Sequence, residues 1–244
     1  MPEQHAAHAH ATKDLSKLYV PAAIVIAGVI IAGAVFFTRG SSGGAAAGGD
    51  QPKVAVDIKK IKTDGQPFIG KADAPVTMAY WADYQCPFCK KFDEEVMIQI
   101  IAKYVDAGKL KVVYKDFVFL GNDSVDGALY EHAVWELYPT QFAAWHTDMY
   151  KNQDEEGDQG FGDAASIEKM IKQDFAGKMD VAKIRVLVAQ KHDEYMKEIQ
   201  ADTQEGAANG INGTPGFITG KSELVGYNPF PAFQKVIDDQ SKWF

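Results

Sequence analysis

Cysteine is nearly absent from this 244-residue chain: there are two, Cys86 and Cys89, three positions apart. A framework of several disulfides is therefore excluded, and the fold must rest on an apolar core. An excess of basic residues is lacking as well. Lys and Arg number 25 against 33 Asp and Glu, a formal net charge of -8, and no basic cluster marks a nucleic-acid surface. Mild acidity implies solubility and little else. No glycine-rich nucleotide loop occurs. The acidic run Asp154-Glu155-Glu156-Gly157-Asp158 does not have the order of a calcium loop, because its sixth position is Gln159 and its twelfth Ala165. It reads as a solvated loop punctuated by Gly157, Gly160 and Gly162.

One long uncharged apolar run stands out, Tyr19 to Phe37 (YVPAAIVIAGVIIAGAVFF), about the length that crosses a bilayer. Lys13 and Lys17 precede it and Arg39 comes after it, a bias that favours a cytoplasmic N-terminus. The competing reading is a cleaved signal peptide, with Ala45 and Ala47 as the small residues a peptidase needs. Either reading exports the remainder of the chain. The expected plan is a cytoplasmic tail over 1–18, a single-pass anchor over 19–37 in the inner or cytoplasmic membrane, and a Gly/Ala/Ser tether over 38–53. An exported domain, periplasmic or at the cell exterior, then covers 54–244. His5, His8 and His10 belong to the tail, where nothing builds a rigid metal site.

The two cysteines have an informative setting. A strand-like run, Val76 to Ala82, precedes Cys86-Pro87-Phe88-Cys89, and a helix-like stretch continues to Ala107. The unpaired N–H groups and positive dipole end of a helix start stabilise a thiolate at Cys86. Pro87 fits the first turn, which requires no N–H. One turn on, Cys89 comes within reach of Cys86 for a disulfide. Structural zinc is the standard rival for such a pair, but it needs two further ligands, and His132, His146 and His192 stand isolated on helical segments. No metal site is expected.

Around this motif, Val54 to Ile61 alternates like a strand, and Leu110 to Leu120 reads as another after a stop at Gly108. The pair of strands flanking the helix makes a β-α-β unit with parallel neighbours. Residues 121–208 are helical in pattern until Gly206 and Gly210 break it. Phe142, Trp145, His146 and Met149 fall at helical spacing and read as core. Short strands at Gly216 to Thr219 and Glu223 to Val225 turn about Gly220-Lys221, and a last helix spans Pro231 to Gln240.

This order is that of an α/β thioredoxin-like fold with a helical insertion, and the local motifs resemble the DsbA-like thiol–disulfide oxidoreductases. The resemblance is carried by Pro67-Phe68-Ile69-Gly70, Asp83-Tyr84-Gln85-Cys86-Pro87-Phe88-Cys89, Tyr114-Lys115-Asp116-Phe117, Phe142-x-x-Trp145-His146 and Gly213-Thr214-Pro215-Gly216-Phe217. It implies catalytic Cys86 and Cys89, with Pro87, Phe88, Thr214 and a cis Pro215 binding substrate or tuning the pair. It also implies no cofactor beyond the redox-active Cys86–Cys89 disulfide. The expected partners are cysteine-containing exported proteins and a membrane or soluble redox protein that resets the disulfide; the chain is expected to be a monomer. Oxidation of substrates is the first reading. Reduction or isomerisation, and a non-enzymatic peptide-holding module, are the alternatives. In one respect the sequence departs from the pattern: the acid that thioredoxin-fold enzymes often bury six residues before the first cysteine is Tyr80 here. Phe88 likewise replaces the histidine that makes some DsbA-like oxidases strongly oxidising, so a less extreme potential is expected.

Overall fold

The computed structural model describes residues 55–154 and 160–241. These lie in the second of two units of the chain, 52–244. The expected anchor and tether fall outside the described residues, among which no helix is long and apolar enough to cross a membrane.

The described residues carry a five-stranded sheet with strand order β1-β3-β2-β4-β5. Its strands are β1 (Phe68–Ile69), β2 (Val76–Ala82), β3 (Leu110–Asp116), β4 (Gly216–Thr219) and β5 (Ser222–Val225). β2 and β3 run parallel, as a β-α-β crossover requires, and the other pairings are antiparallel. The crossover helix, α1, starts as Pro87–Phe92 and widens into a π-type turn over Asp93–Met97. It returns to α geometry at Ile98–Ile100 and widens again over Ile101–Val105. Between β3 and β4 lie α2 (Asn122–Leu137), α3 (Phe142–Asn152), α4 (Ala164–Asp174) and α5 (Val181–Ala208); α6 (Phe230–Ser241) closes the chain.

Alternation along β2 decides which face meets what. Val76, Met78 and Tyr80 point into the larger core, where Tyr80 stacks on Phe217 and meets Phe92 edge-on. Phe233 of α6 packs on both phenylalanines. Ala79 and Trp81 point the other way, onto Val56, Ile61, Ile211 and Ile218. Each fully buried large apolar side chain is worth roughly 1.5–3 kcal/mol, so these two clusters hold the sheet between its layers.

Three expectations change. Val54 to Ile61 is not a strand over its described part: Asp57 accepts a hydrogen bond from Lys59 N at 3.0 Å and winds Ile58–Lys60 into a 3-10 turn. The chain stays attached to the sheet through Ile58 N, which donates to Gly220 O at 2.7 Å. The strand expected to reach Leu120 ends at Asp116, because the Asp83 carboxylate captures the N–H groups of Phe119 (3.0 Å) and Leu120 (3.3 Å) and turns the chain away. Gly206 does not break α5, which continues to Ala208; a Cβ there would lie 2.8 Å from Trp81 Nε1, so the glycine lets helix and sheet approach. Gly210, at φ +88°, sits beyond the end.

Candidate active site

Cys86 occupies the cap position of α1 with extended backbone, and Pro87 is the first helical residue. The Cys86 carbonyl accepts from Cys89 N at 3.0 Å and Lys90 N at 3.2 Å, which fixes the first turn. Both cysteines are free thiols. Cys89 is completely buried, and Cys86 is the more exposed of the two at 4 %. Phe88 between them points outward at 58 %. The Thr214–Pro215 peptide is cis, and Thr214 O lies 3.5 Å from Cys86 Sγ, so the expected loop does face the pair.

The two thiols are driven apart in acidity. A hydrogen bond from the Cys89 thiol is the main influence on Cys86 and brings it down to about 6. Burial opposes this, while Thr214 and the N–H groups of Phe88 and Cys89 assist it. Burial pushes Cys89 the other way, well above its ordinary value, and the Cys86 sulfur adds to that rise. The site therefore holds one thiolate beside one thiol.

The loop before Cys86 is braced by residues whose importance was hidden in the sequence. Gln153, just past α3, donates from Nε2 to Tyr84 O (2.6 Å) and to Cys86 O (3.1 Å). Its own carbonyl accepts from Lys90 Nζ at 2.9 Å. Asp83 takes hydrogen bonds from Gln85 N (2.8 Å) and Ser124 Oγ (2.6 Å) and so fixes the loop that leads to Cys86. Trp145 and Phe142 are core, as their spacing implied, but His146 on the same helix reaches into the region behind the cysteines. Its ring packs against Tyr114 (4.3 Å between centroids) and Tyr84 (5.4 Å). His132 instead pairs with Asp116 and Glu198, and His192 with Asp193.

A parallel β-α-β crossover with Cys-x-x-Cys at the helix start, opposed by a cis-proline loop, defines the thioredoxin-like class of thiol–disulfide proteins. The family model described as Thioredoxin matches residues 62–239, and the chain belongs to that family as a DsbA-like thiol–disulfide oxidoreductase. Disulfide bond formation protein D of Bacillus subtilis (strain 168) is 36% identical over 89 residues, which are 36% of this chain and 40% of that protein. The probable disulfide bond formation protein D of Bacillus cereus is 26% identical over 180 residues, 72% of this chain and 79% of that one. Among solved structures, oxidised BdbD from Bacillus subtilis has the same fold, with a TM-score of 0.68 at 22% identity, over 79% of this chain and 100% of that chain. The catalytic domain of Proteus mirabilis ScsC gives a TM-score of 0.58 at 26% identity, covering 72% and 89%.

Proposed function

We propose that the chain is an extracytoplasmic disulfide donor, held at the membrane by residues 19–37, with Cys86 and Cys89 as its catalytic pair. The observation that carries this reading is the environment of Cys86, whose thiol is brought down to about 6 at the start of α1. A stabilised thiolate stabilises the reduced protein, and a disulfide whose reduced form is favoured oxidises others. The names of the curated relatives, disulfide bond formation proteins, point in the same direction.

In the proposed cycle a substrate thiolate attacks Cys86 Sγ of the disulfide. The Cys86–substrate bond forms, the Cys86–Cys89 bond breaks, and Cys89 leaves carrying the electron pair. A second substrate thiolate then attacks the substrate sulfur of the mixed disulfide and releases Cys86 as a thiolate. The substrate ends oxidised and the protein reduced, and a redox partner resets it. Thr214 and Pro215 line the approach to Cys86, where an extended peptide could add alongside the backbone, and outward-pointing Phe88 offers it apolar contact. No cofactor enters the cycle, and the partners are cysteine-containing exported proteins.

Oxidative refolding of a reduced, unfolded disulfide protein tests the reading. The oxidised chain is expected to restore the substrate's activity stoichiometrically and Cys86→Ser to abolish this, while reduced Cys89→Ser, given the same substrate in its disulfide form, is expected to accumulate mixed disulfides on Cys86 with release of one substrate thiolate. Mixed disulfides that fail to accumulate on Cys89→Ser contradict the assigned division of labour.

A further inference from the structure

Cys86 stands at the cap position of α1 with no side chain capping the helix, and Pro87 after it has no N–H to offer. The donors left to face its sulfur are the N–H groups of Phe88 and Cys89, and both assist it in carrying charge. Their aim depends on how the Cys86 backbone is held. Its carbonyl accepts from Cys89 N (3.0 Å) and Lys90 N (3.2 Å), the bonds that the first turn requires, and from a third donor, Gln153 Nε2 at 3.1 Å. A carbonyl oxygen has two lone pairs, so the third donor is more than the helix needs.

The third donor belongs to a built arrangement. Gln153 is 6 % exposed, and the same Nε2 donates to Tyr84 O at 2.6 Å. Both of these neighbours are carbonyl oxygens, which only accept, so the amide must turn its nitrogen to them. The backbone of Gln153 is fixed as well: its N–H donates to Tyr150 O (3.1 Å) and its carbonyl accepts from Lys90 Nζ (2.9 Å). Lys90 therefore reaches Cys86 twice, directly through its own N–H and again through Gln153, and the three bonds close a ring around the first turn of α1. Tyr150, one turn earlier, donates to Asp83 O at 3.4 Å. Tyr150 and Gln153, at the end of α3, thus hold three of the four carbonyls in the loop 83–86.

We propose that Gln153 is a positioning residue for thiol–disulfide exchange, holding the Cys86 carbonyl so that the first turn of α1 presents its N–H groups to Sγ. This rests on the proposed Cys86–Cys89 exchange. Gln153 acts through the backbone of Cys86 in two ways. It fixes the direction of the Cys86–Pro87 peptide, and with it the turn that carries the Phe88 and Cys89 N–H groups. It also covers the negative end of a carbonyl dipole that belongs to the same residue as the thiolate, and a covered dipole opposes that charge less. Both effects favour the reduced protein, in which Cys86 carries charge, over the disulfide, in which it carries none. The end of α3, an element of the insertion, thereby sets part of the oxidising strength of a pair carried on α1.

The test follows the thiolate absorbance of the reduced full chain against pH, and then equilibrates its disulfide with glutathione. Gln153→Met keeps the side-chain length and removes the donor. Its Cys86 midpoint is expected to rise by about half a pH unit or more, and its disulfide to become about threefold or more harder to reduce, since one pH unit corresponds to a factor of about ten. Ser124→Ala is the comparison: it removes the 2.6 Å bond to Asp83, which braces the same loop from α2, and is expected to lower stability with both redox readouts in place. If Gln153→Met lowers stability but leaves the midpoint and the equilibrium at the parent values, Gln153 is a structural brace only and the proposal is overturned. It is also overturned if Ser124→Ala moves both readouts as far as Gln153→Met. Should Gln153→Met not fold, Gln153→Asn decides, because its shorter side chain withdraws the amide from both carbonyls; an unmoved midpoint then overturns the proposal. A parent chain whose Cys86 titrates like an ordinary thiol and whose disulfide ignores glutathione would instead sink the exchange reading on which this one rests.

Discussion

Cys86 draws its acidity from a few atoms of the first turn of α1 and the facing loop: the Cys89 thiol above all, then Thr214 of that loop and two backbone N–H groups of the turn. Neither residue between the cysteines, Pro87 or Phe88, contributes a charge, and Phe88 is the simplest place to tune the site. Because Phe88 already points to solvent, Phe88→His should be accommodated without repacking and place a cationic ring beside the thiolate. The Cys86 thiol is then expected to titrate below about 6, as thiolate absorbance against pH will show, and the disulfide to become more oxidising by about 30 mV per 1.4 kcal/mol gained. An unchanged titration would mean that the 88 side chain does not reach the sulfur. Gln153→Ala removes the donor to the Tyr84 and Cys86 carbonyls and is expected to cost about 1–3 kcal/mol in denaturant unfolding; a loss within error would mean that water replaces it. The contrast between these two positions explains what could be read from residues alone. Cys86, Pro87, Phe88 and Cys89 form one local motif with a mechanism attached. Gln153 is an ordinary polar residue in sequence, and only the packing of α3 against α1 gives it a role.

Elements behave similarly. β2, β4, β5 and α6 were legible because each has its own period and its own stops. The failures came where a distant group competes with local propensity. β3 ends early although Phe117 to Leu120 favour a strand, because the buried Asp83 carboxylate offers their N–H groups a better partner. α5 continues through Gly206 because Trp81, whose Nε1 donates to Asp202 O at 2.9 Å, needs the space a side chain would take. Helix propensity favours alanine over glycine by about 1 kcal/mol, so Gly206→Ala would stabilise an isolated helix. Here it is expected to destabilise the protein by about 1–3 kcal/mol, since the indole cannot shift without losing its bond to Asp202. Thermal unfolding decides, and a raised melting temperature would show the contact to be loose. The π-type turns of α1 have no signature in the sequence.

For the molecule as a whole, the buried charges set a pH dependence of stability. Glu131 is raised by burial from 4.5 to about 8 and Asp202 from 3.8 to about 6, so the folded state holds protons that the unfolded chain releases. His132 is opposed by burial, yet Asp116, Glu131 and Glu198 carry it from 6.5 to about 9, with the same consequence. All three make stability fall as pH rises, across windows that together run from about pH 4 to 9. The low value of Cys86 acts oppositely in the reduced protein, so the effect is cleanest in the oxidised form. Oxidised chain is expected to melt higher at pH 5.5 than at pH 9, and the reverse order would mean that these groups are solvated. Redox function is the larger consequence of the same electrostatics. The most direct test of the disulfide-donor reading is the reduction potential of the Cys86–Cys89 pair, obtained by equilibrating the protein in glutathione buffers of known ratio. The account predicts a value modestly below the roughly −120 mV of the strongest disulfide donors, whereas a value near thioredoxin's roughly −270 mV would contradict it.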